Sequence, residues 1–496
     1  MRARTRLTAA ILLTAGSLAA CASEPEARRP REAAARGPAR APAREAKESA
    51  AALTAIDETV RAIQADGARS REAFDVVRSL TEEVGPRLAG SAGDARAVSW
   101  AQRTMTERGF SNIHTEPVTV PHWDRGAESA ELVTGAKREA LDVAALGGSE
   151  GTPPAGLDAE VIVAASLDEA EHLDPSLVHG KIVLIDTETE RTRDGSGYGH
   201  AVRTRVLASQ RLAPLGAAAV VIRAIGTDSA APHTGVMMKG PIPAAALSGD
   251  SAAKVKAAIA TGKHPHLRLK LGARHLDDAR SANVIGEVRG RELTDEIVLL
   301  GAHLDSWDLG AGAVDDGAGC AIVVEAARLI AKRPRPPRRT VRVVLYAAEE
   351  NGVEGHNGGR AYTAAHEAEL PKHAVAMEAD SGDGRAFAVR TLGAADAAPR
   401  FDAVVRELAP LEITREAGSA RPGADISSLL GRGVPIIELP QDMTRYFDVH
   451  HTRNDKLDRI DPASLAQVAT AFATAAYVAA EIDGDFGRVP EAQRKK

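Results

Sequence analysis

At 496 residues the chain is too long for one average domain, and its 44% apolar residues are ample for a core. A net charge of −6, few aromatics at 3%, and the lack of any basic stripe interleaved with aromatics exclude a general nucleic-acid binder.

The N-terminus has the grammar of an export signal. MRARTR is basic, LTAAILLTAGSLAA is apolar but too short to favour a spanning helix, and LAAC follows. Residues 1–20 therefore read as a signal peptide. Leu18-Ala19-Ala20-Cys21 resembles a bacterial lipobox, which implies cleavage before Cys21 and acylation of its thiol. The alternative is a plain secretory signal with a chance cysteine. With Cys21 acylated, Cys320 has no intramolecular partner, since the chain has only these two cysteines. Residues 21–50 are rich in Ala, Arg, Pro and Glu without any apolar period, the composition of a disordered tether. The expected location is the periplasmic or outer face of a bacterial membrane, with contact through the lipid only. No further segment reads as a membrane span.

Folded structure is expected from about Ala51. AALTAIDETVRAIQAD is amphipathic, and Ala97, Trp100, Ala101 and Met105 recur at helical spacing before Gly109. Gly85-Pro86 and Gly90-Ser91 mark the loop between two helices. From His122 to Leu271 short strands dominate: ELVTG, AEVIVAA, GKIVLID, AAAVVIRA, IPAAALSGD and HLRLKL, with one helix in RTRVLASQRLAPLGA. The histidines of this block, among them His172, His179, His200 and His233, lie in scattered polar context and read as surface or structural. From Ser281 to Ile482 strand and helix alternate, as in an α/β fold with a largely parallel sheet. Residues 486–496 read as a polar tail.

Sites in such sheets gather beyond the carboxyl ends of the strands. His303 and Asp305 follow EIVLLGA, Glu349 and Glu350 follow VRVVLYAA, Asp380 follows HAVAMEA, and His450 and His451 come after VPIIEL. A lone HxD or EE is more often solvated surface, but four such groups at successive strand ends point to one metal site. Imidazole and carboxylate ligands without thiolate suit zinc, manganese or cobalt, and two histidines with several carboxylates are typical of paired metals.

The order H-x-D, DD, EE, D, HT resembles the M28 family of zinc exopeptidases, and within it the carboxypeptidase Q branch. The resemblance rests on HLDSWDLGAGAVDDGAG first, then VGPRLAGS, AAEENG, RPGADISSLLGRGVPIIEL and RYFDVHHTRND, and covers nearly everything after about residue 70. The middle block resembles the protease-associated domain through GKIVLID, LGAAAVVI and IPAAALSGD. The resemblance implies an α/β/α sandwich, a discontinuous catalytic domain of residues 51–121 plus 281–485, and a mostly β insert at 122–280.

For the site it implies two Zn²⁺ per chain, other divalent metals being possible. His303 would bind one and His451 the other, with Asp315 bridging. Glu350 and Asp380 would bind one metal each, Glu349 would be the general base, and Asp305 would orient His303. A cis peptide between Asp315 and Asp316 is implied, with Asp316 structural. His451 is preferred to His450 because the family ligand directly precedes Thr or Ser. Tyr446 and Asp425 are candidate substrate contacts, and Tyr446 fits a core role equally. Lys456 stands where the family has Thr, and His356 lies in a turn longer than usual, in reach of the cleft or on the surface. The implied function is hydrolysis of short peptides or dipeptides. Carboxypeptidase, dipeptidase and aminopeptidase preferences stay open, as does homodimerisation. The complete ligand set argues against a non-catalytic binding protein. The HLDSWDLG block and the insert argue against a single-zinc glutaminyl-cyclase type.

Overall fold

The computed structural model describes residues 55–351 and 357–494. The signal peptide, Cys21, the tether and His356 lie outside them. Two eight-stranded sheets dominate. In the first, the strands run in the order Ser111–Asp124, Arg274–Val288, Arg339–Tyr346, Leu293–His303, His373–Glu378, Ile436–Glu438, Ala388–Leu392 and Thr414–Arg415. The four from Arg339–Tyr346 to Ile436–Glu438 are parallel, and the strands flanking these four are antiparallel to them.

Alternation along the parallel strands builds two cores. Leu293–His303 sends Val298, Leu300 and Ala302 into one cluster and Ile297 and Leu299 into another. Its neighbour divides likewise, with Val341, Val343 and Leu345 on one side and Val344 and Tyr346 on the other. Such strands are buried on both faces, which is why they read as continuous apolar runs. Helix Ala318–Ala331 forms the crossover between Leu293–His303 and Arg339–Tyr346 and is buried around its circumference. Helices Pro462–Glu481 and Glu72–Glu83 pack on it. Tyr362 and Leu429, from helices Gly358–Ala365 and Ser427–Gly431, belong to the cluster on the other face. The result is the expected layered sandwich.

Helix Pro462–Glu481 corrects one expectation. It is long and apolar enough to cross a membrane, but 83% of its apolar window is buried within the fold. Its many alanines serve close packing of helix on helix. The stretch read as a polar tail is also partly core. Phe486 and Val489 are fully buried, and the Phe486 ring packs 5.0 Å from Phe401.

The second sheet runs Lys137–Leu141, Glu128–Thr134, His266–Leu271, Leu157–Ala164, Ile182–Ile185, Ala219–Arg223, Ala244–Leu247 and Val143–Ala145. All six strands expected in this block form. Four of them are parallel, joined through helices such as Ser196–Leu212. The paired strands Ser111–Asp124 and Arg274–Val288 lead into and out of this sheet. Two side chains from the loop after His303 lock the sheets together. Trp307 sits in the second sheet's apolar cluster, edge-on to Trp123. A Cβ at residue 147 would fall 1.9 Å from the Trp307 ring, so only glycine fits there. Asp308 takes both Nε and Nη2 of Arg125 at 2.7 Å.

Candidate metal centre

Strand register brings the site residues together. His303 is paired with Tyr346, and Gly301 with Glu378, so these parallel strands end at one edge of the sheet. Three or four residues beyond Tyr346 stand Glu349 and Glu350, and two beyond Glu378 stands Asp380. Ala348 makes the turn with φ of +54°, a conformation that a non-glycine residue holds only when its surroundings impose it. Asp305 supplies that hold: its carboxylate accepts the backbone N–H of Glu349 at 3.0 Å and of Glu350 at 3.2 Å. Asp305 reaches His303 through its backbone carbonyl, 3.1 Å from Nδ1, while its carboxylate is 3.7 Å away. The expected orienting contact therefore comes mainly from the main chain. Asp455 performs a parallel task, accepting from Val314 N and Asp315 N at 2.6 and 3.1 Å. The Asp315–Asp316 peptide is cis, and Asp316 accepts from His303 N and Gly319 N.

Two groups of possible ligand atoms result, and they share Asp315. One is His303, Asp315 and Asp380; the other is Asp315, Glu350 and His451. His303 Nε2 lies 3.3 Å from Asp315 Oδ1 and 3.7 Å from Asp380 Oδ1. His451 Nε2 lies 2.8 Å from Glu350 Oε2 and 3.2 Å from Asp315 Oδ2. His450, the alternative to His451, is 3.5 Å from Asp315 Oδ2 and belongs only to a third group, made of His233, His450 and His451.

The electrostatics call for cations. Burial pushes the Glu349 and Glu350 carboxyls well up, helped by each other's neighbours Asp305, Asp315 and Asp380. Burial opposes charge on Asp315 and His303 as well, but there the opposite partners win. His450, His303 and His451 hold Asp315 well below the usual carboxylate range, and Asp305, Asp315 and Asp380 raise His303 well above an ordinary imidazole. No lysine or arginine forms an ion pair with any of these carboxylates among the described residues. Asp315 Oδ2 and Glu350 Oε1 are buried without a hydrogen bond, even though His451 Nε2 stands close to the former. Buried carboxylate oxygens in that state cost free energy unless a cation takes their lone pairs. The donor set fits divalent metal.

Of the two proposed substrate contacts, Tyr446 lines the cavity of about 450 Å³ over these groups and donates its hydroxyl to Asp315 Oδ1 at 3.0 Å. Asp425 is 1% exposed with both oxygens unpartnered among the described residues, and its neighbours Ala424 and Ser427 line the cavity in its place. Several contacts were not legible in advance. Trp307 Nε1 donates to Glu350 Oε2 at 2.5 Å. His233 is fully buried, with Nε2 3.1 Å from His450 Nδ1, whereas His172, His179 and His200 are exposed as expected. Arg205 Nη1 stands 3.0 Å from His451 Nδ1. Trp307 lies inside the strongest motif and Asp455 inside HHTRND, so those two had a signal; Arg205 and His233 had none.

A layered α/β scaffold whose parallel strand ends gather His, Asp and Glu around a shared carboxylate is that of a metallopeptidase. The peptidase family M28 model matches residues 283–476. Carboxypeptidase Q of Bos taurus is 33% identical over 452 residues, covering 90% of this chain and 93% of the relative. The chain belongs to peptidase family M28. The crystal structure of a peptidase M28 precursor from Shewanella amazonensis superposes with a TM-score of 0.85 at 41% identity, over 88% of this chain and 99% of that one. A zinc aminopeptidase from Bacillus subtilis shares the fold, with a TM-score of 0.60 at 19% identity over 84% and 97% of the two chains.

Proposed function

We propose that the protein is an exported, lipid-anchored di-zinc exopeptidase that hydrolyses short peptides or dipeptides. The carrying observation is that two ligand groups share Asp315. His303 and Asp380 would hold one zinc, Glu350 and His451 the other, and Asp315 both. Bound zinc supplies Lewis acidity, which brings water toward ionisation at neutral pH and polarises a carbonyl.

The chain's own groups do the rest. Glu349 is fixed at its backbone by Asp305, lines the cavity, and has a carboxyl raised by burial and by Asp380. It takes a proton from water as the oxygen adds to the peptide carbonyl, and returns that proton to the departing amine as the C–N bond breaks. Tyr446 holds the shared carboxylate in place, and Trp307 does the same for Glu350. Residues 122–280, the proposed protease-associated insert, close one side of the cleft through Tyr198 and Arg205. The lipid on Cys21 and the tether would keep the enzyme on a bacterial membrane.

Metal analysis combined with a panel of free, N-blocked and C-amidated dipeptides tests this reading. About two zinc ions per chain and hydrolysis of free dipeptides are expected. One metal per chain with cyclisation of N-terminal glutamine, and no peptide hydrolysis, would overturn it.

A further inference from the structure

The cavity over the metal centre is lined by four carboxylates, Asp315, Glu349, Glu350 and Asp380, and by two arginines, beside histidines and neutral side chains. Arg360, at the start of helix Gly358–Ala365, is exposed at its edge. Arg205, from helix Ser196–Leu212 of the second sheet's lobe, is 6% exposed. Six arginines are 9% exposed or less among the described residues, and the other five are satisfied. Arg125, Arg328, Arg339 and Arg342 pair with carboxylates, and Arg87 donates to four backbone carbonyls.

Arg205 differs. Among the described residues, all its hydrogen bonds leave from one nitrogen, Nη1, to Tyr198 Oη at 2.7 Å, Thr234 O at 3.3 Å and His451 Nδ1 at 3.0 Å. All three acceptors are neutral. Nε is buried without a partner, and Nη2 has no hydrogen bond, among the described residues. Nε–H and Nη2–H form the parallel fork with which a guanidinium takes a carboxylate through two bonds. A buried cation with that fork unfilled costs free energy until an anion arrives. Metal held through His451 Nε2 would put the ring proton on Nδ1, and Arg205 would then lose a further acceptor.

We propose that Arg205 is the specificity-determining residue that binds the free α-carboxylate of the substrate next to the scissile bond. This rests on the peptidase reading above and names its substrate class: dipeptides and peptides cut at their last bond. The placement agrees. One imidazole separates Arg205 from the ligand atoms of Glu350 and Asp315, and only about one residue repeat, ~3.8 Å, separates a scissile carbonyl from the carboxylate of the residue after it. Capture of that carboxylate by Nε and Nη2 sets the carbonyl over the centre and disfavours longer C-terminal extensions.

The test compares alanyl-leucine, its C-terminal amide, and alanyl-glutamate α-amide on zinc-loaded wild type, Arg205→Met, Arg205→Lys and Arg360→Met. The reading is the ratio of kcat/KM for acid over amide. Wild type should favour the acid at least about tenfold, the discrimination typical of a charged, bidentate contact. Arg205→Met should bring the ratio near one, mostly through KM. Arg205→Lys, which keeps the charge without the fork, should retain part of it, and Arg360→Met should leave the ratio high. A purely structural role for Arg205 lowers both substrates alike and leaves the ratio unchanged, which would overturn the proposal. So would a wild type indifferent to amidation, or one for which the side-chain carboxylate of alanyl-glutamate α-amide substitutes. Those results leave the peptidase reading standing. If no peptide is hydrolysed, that reading fails, and calorimetric titration with the same ligands decides for Arg205: tighter binding of the acid that Arg205→Met abolishes supports it, and equal binding of acid and amide overturns it.

Discussion

Two adjacent glutamates of one charge type have different surroundings here. Both backbones are pinned by Asp305, but Glu350 is 4% exposed, bonded to Trp307 and set against His451, whereas Glu349 is only half-buried at the cavity. Glu350→Ala should therefore lower metal occupancy and activity together. Glu349→Gln keeps the shape and the ligand set, so metal content should stay at wild-type level while kcat falls by about 10²–10⁴, the usual contribution of a general base. Metal analysis and steady-state kinetics on both variants check this. Near-normal turnover in Glu349→Gln would remove its role, and loss of metal from it would mean that the two roles are exchanged. His303, Glu349, Glu350 and Asp380, which the fold brings together, were legible because each stands at or just beyond the end of an apolar run, where a lone carboxylate has no structural reason to cluster with others. Arg205 was not. Its meaning depends on a contact with His451, 246 positions away, and nothing local to RTRVLASQRL records that.

At the level of elements, the parallel strands were readable from their apolar runs, and their register then fixed which residues meet. What alternation could not reveal was pairing between distant segments, such as helix Gly358–Ala365 against the edge strand Ser111–Asp124. His366, just after that helix, joins them: Nε2 is 2.7 Å from Glu116 Oε1 and Nδ1 is 2.8 Å from Glu369 Oε2. Burial opposes its charge, but Glu116 and Glu369 raise its pKa to about 9 from 6.5. Glu369 moves the other way: burial raises it, but His366 and Arg342 hold it at about 2 rather than 4.5. A raised histidine contributes stability that is complete below its unfolded pKa, near 6.5, and disappears as pH rises through about 9. A lowered carboxylate contributes above about 4.5 and loses that contribution as pH falls through about 2. The cluster is thus fully effective between these limits. His366→Gln should lower Tm by only about 1–3 °C at pH 6, because the cluster is only half-buried and partly screened. The difference should close by pH 10. A thermal-melt series from pH 5 to 10 reads it out, and a gap that persists at pH 10 would mean that packing of the ring, not its charge, holds the helix.

On the scale of the whole molecule, the metal centre draws on four separate stretches, 303–315, 349–350, 380 and 446–455, and the second sheet is pinned to the first of them through Trp307 and Asp308. Residues 21–50 offer nothing of the kind in sequence, so a chain beginning at Glu48 should keep its turnover, and a folded but inactive truncation would contradict the tether reading. Composition and motif order conveyed this organisation well. They conveyed poorly that the carboxyl end, through Phe486 and Val489, belongs to the core, because two large apolar residues in eleven make no period. The centre should also contribute to global stability. Without cations, Glu349, Glu350 and Asp425 are carboxyls that burial pushes well up, and Asp315 Oδ2 and Glu350 Oε1 lack partners. A ligand that binds only the folded state adds RT ln(1 + [L]/Kd), about 4 kcal/mol at a thousandfold excess over Kd. Stripping metal with a chelator should therefore lower Tm by several degrees, and zinc should restore it in a concentration-dependent way. Glu350→Ala should start low and respond weakly to either treatment, since one ligand group has lost a member. Glu349→Gln should respond like wild type, because it removes no ligand. Equal chelator response in all three proteins would mean that the metal sits elsewhere, and a wild type with unchanged Tm after complete metal removal would mean that the buried carboxylates are already balanced by the fold.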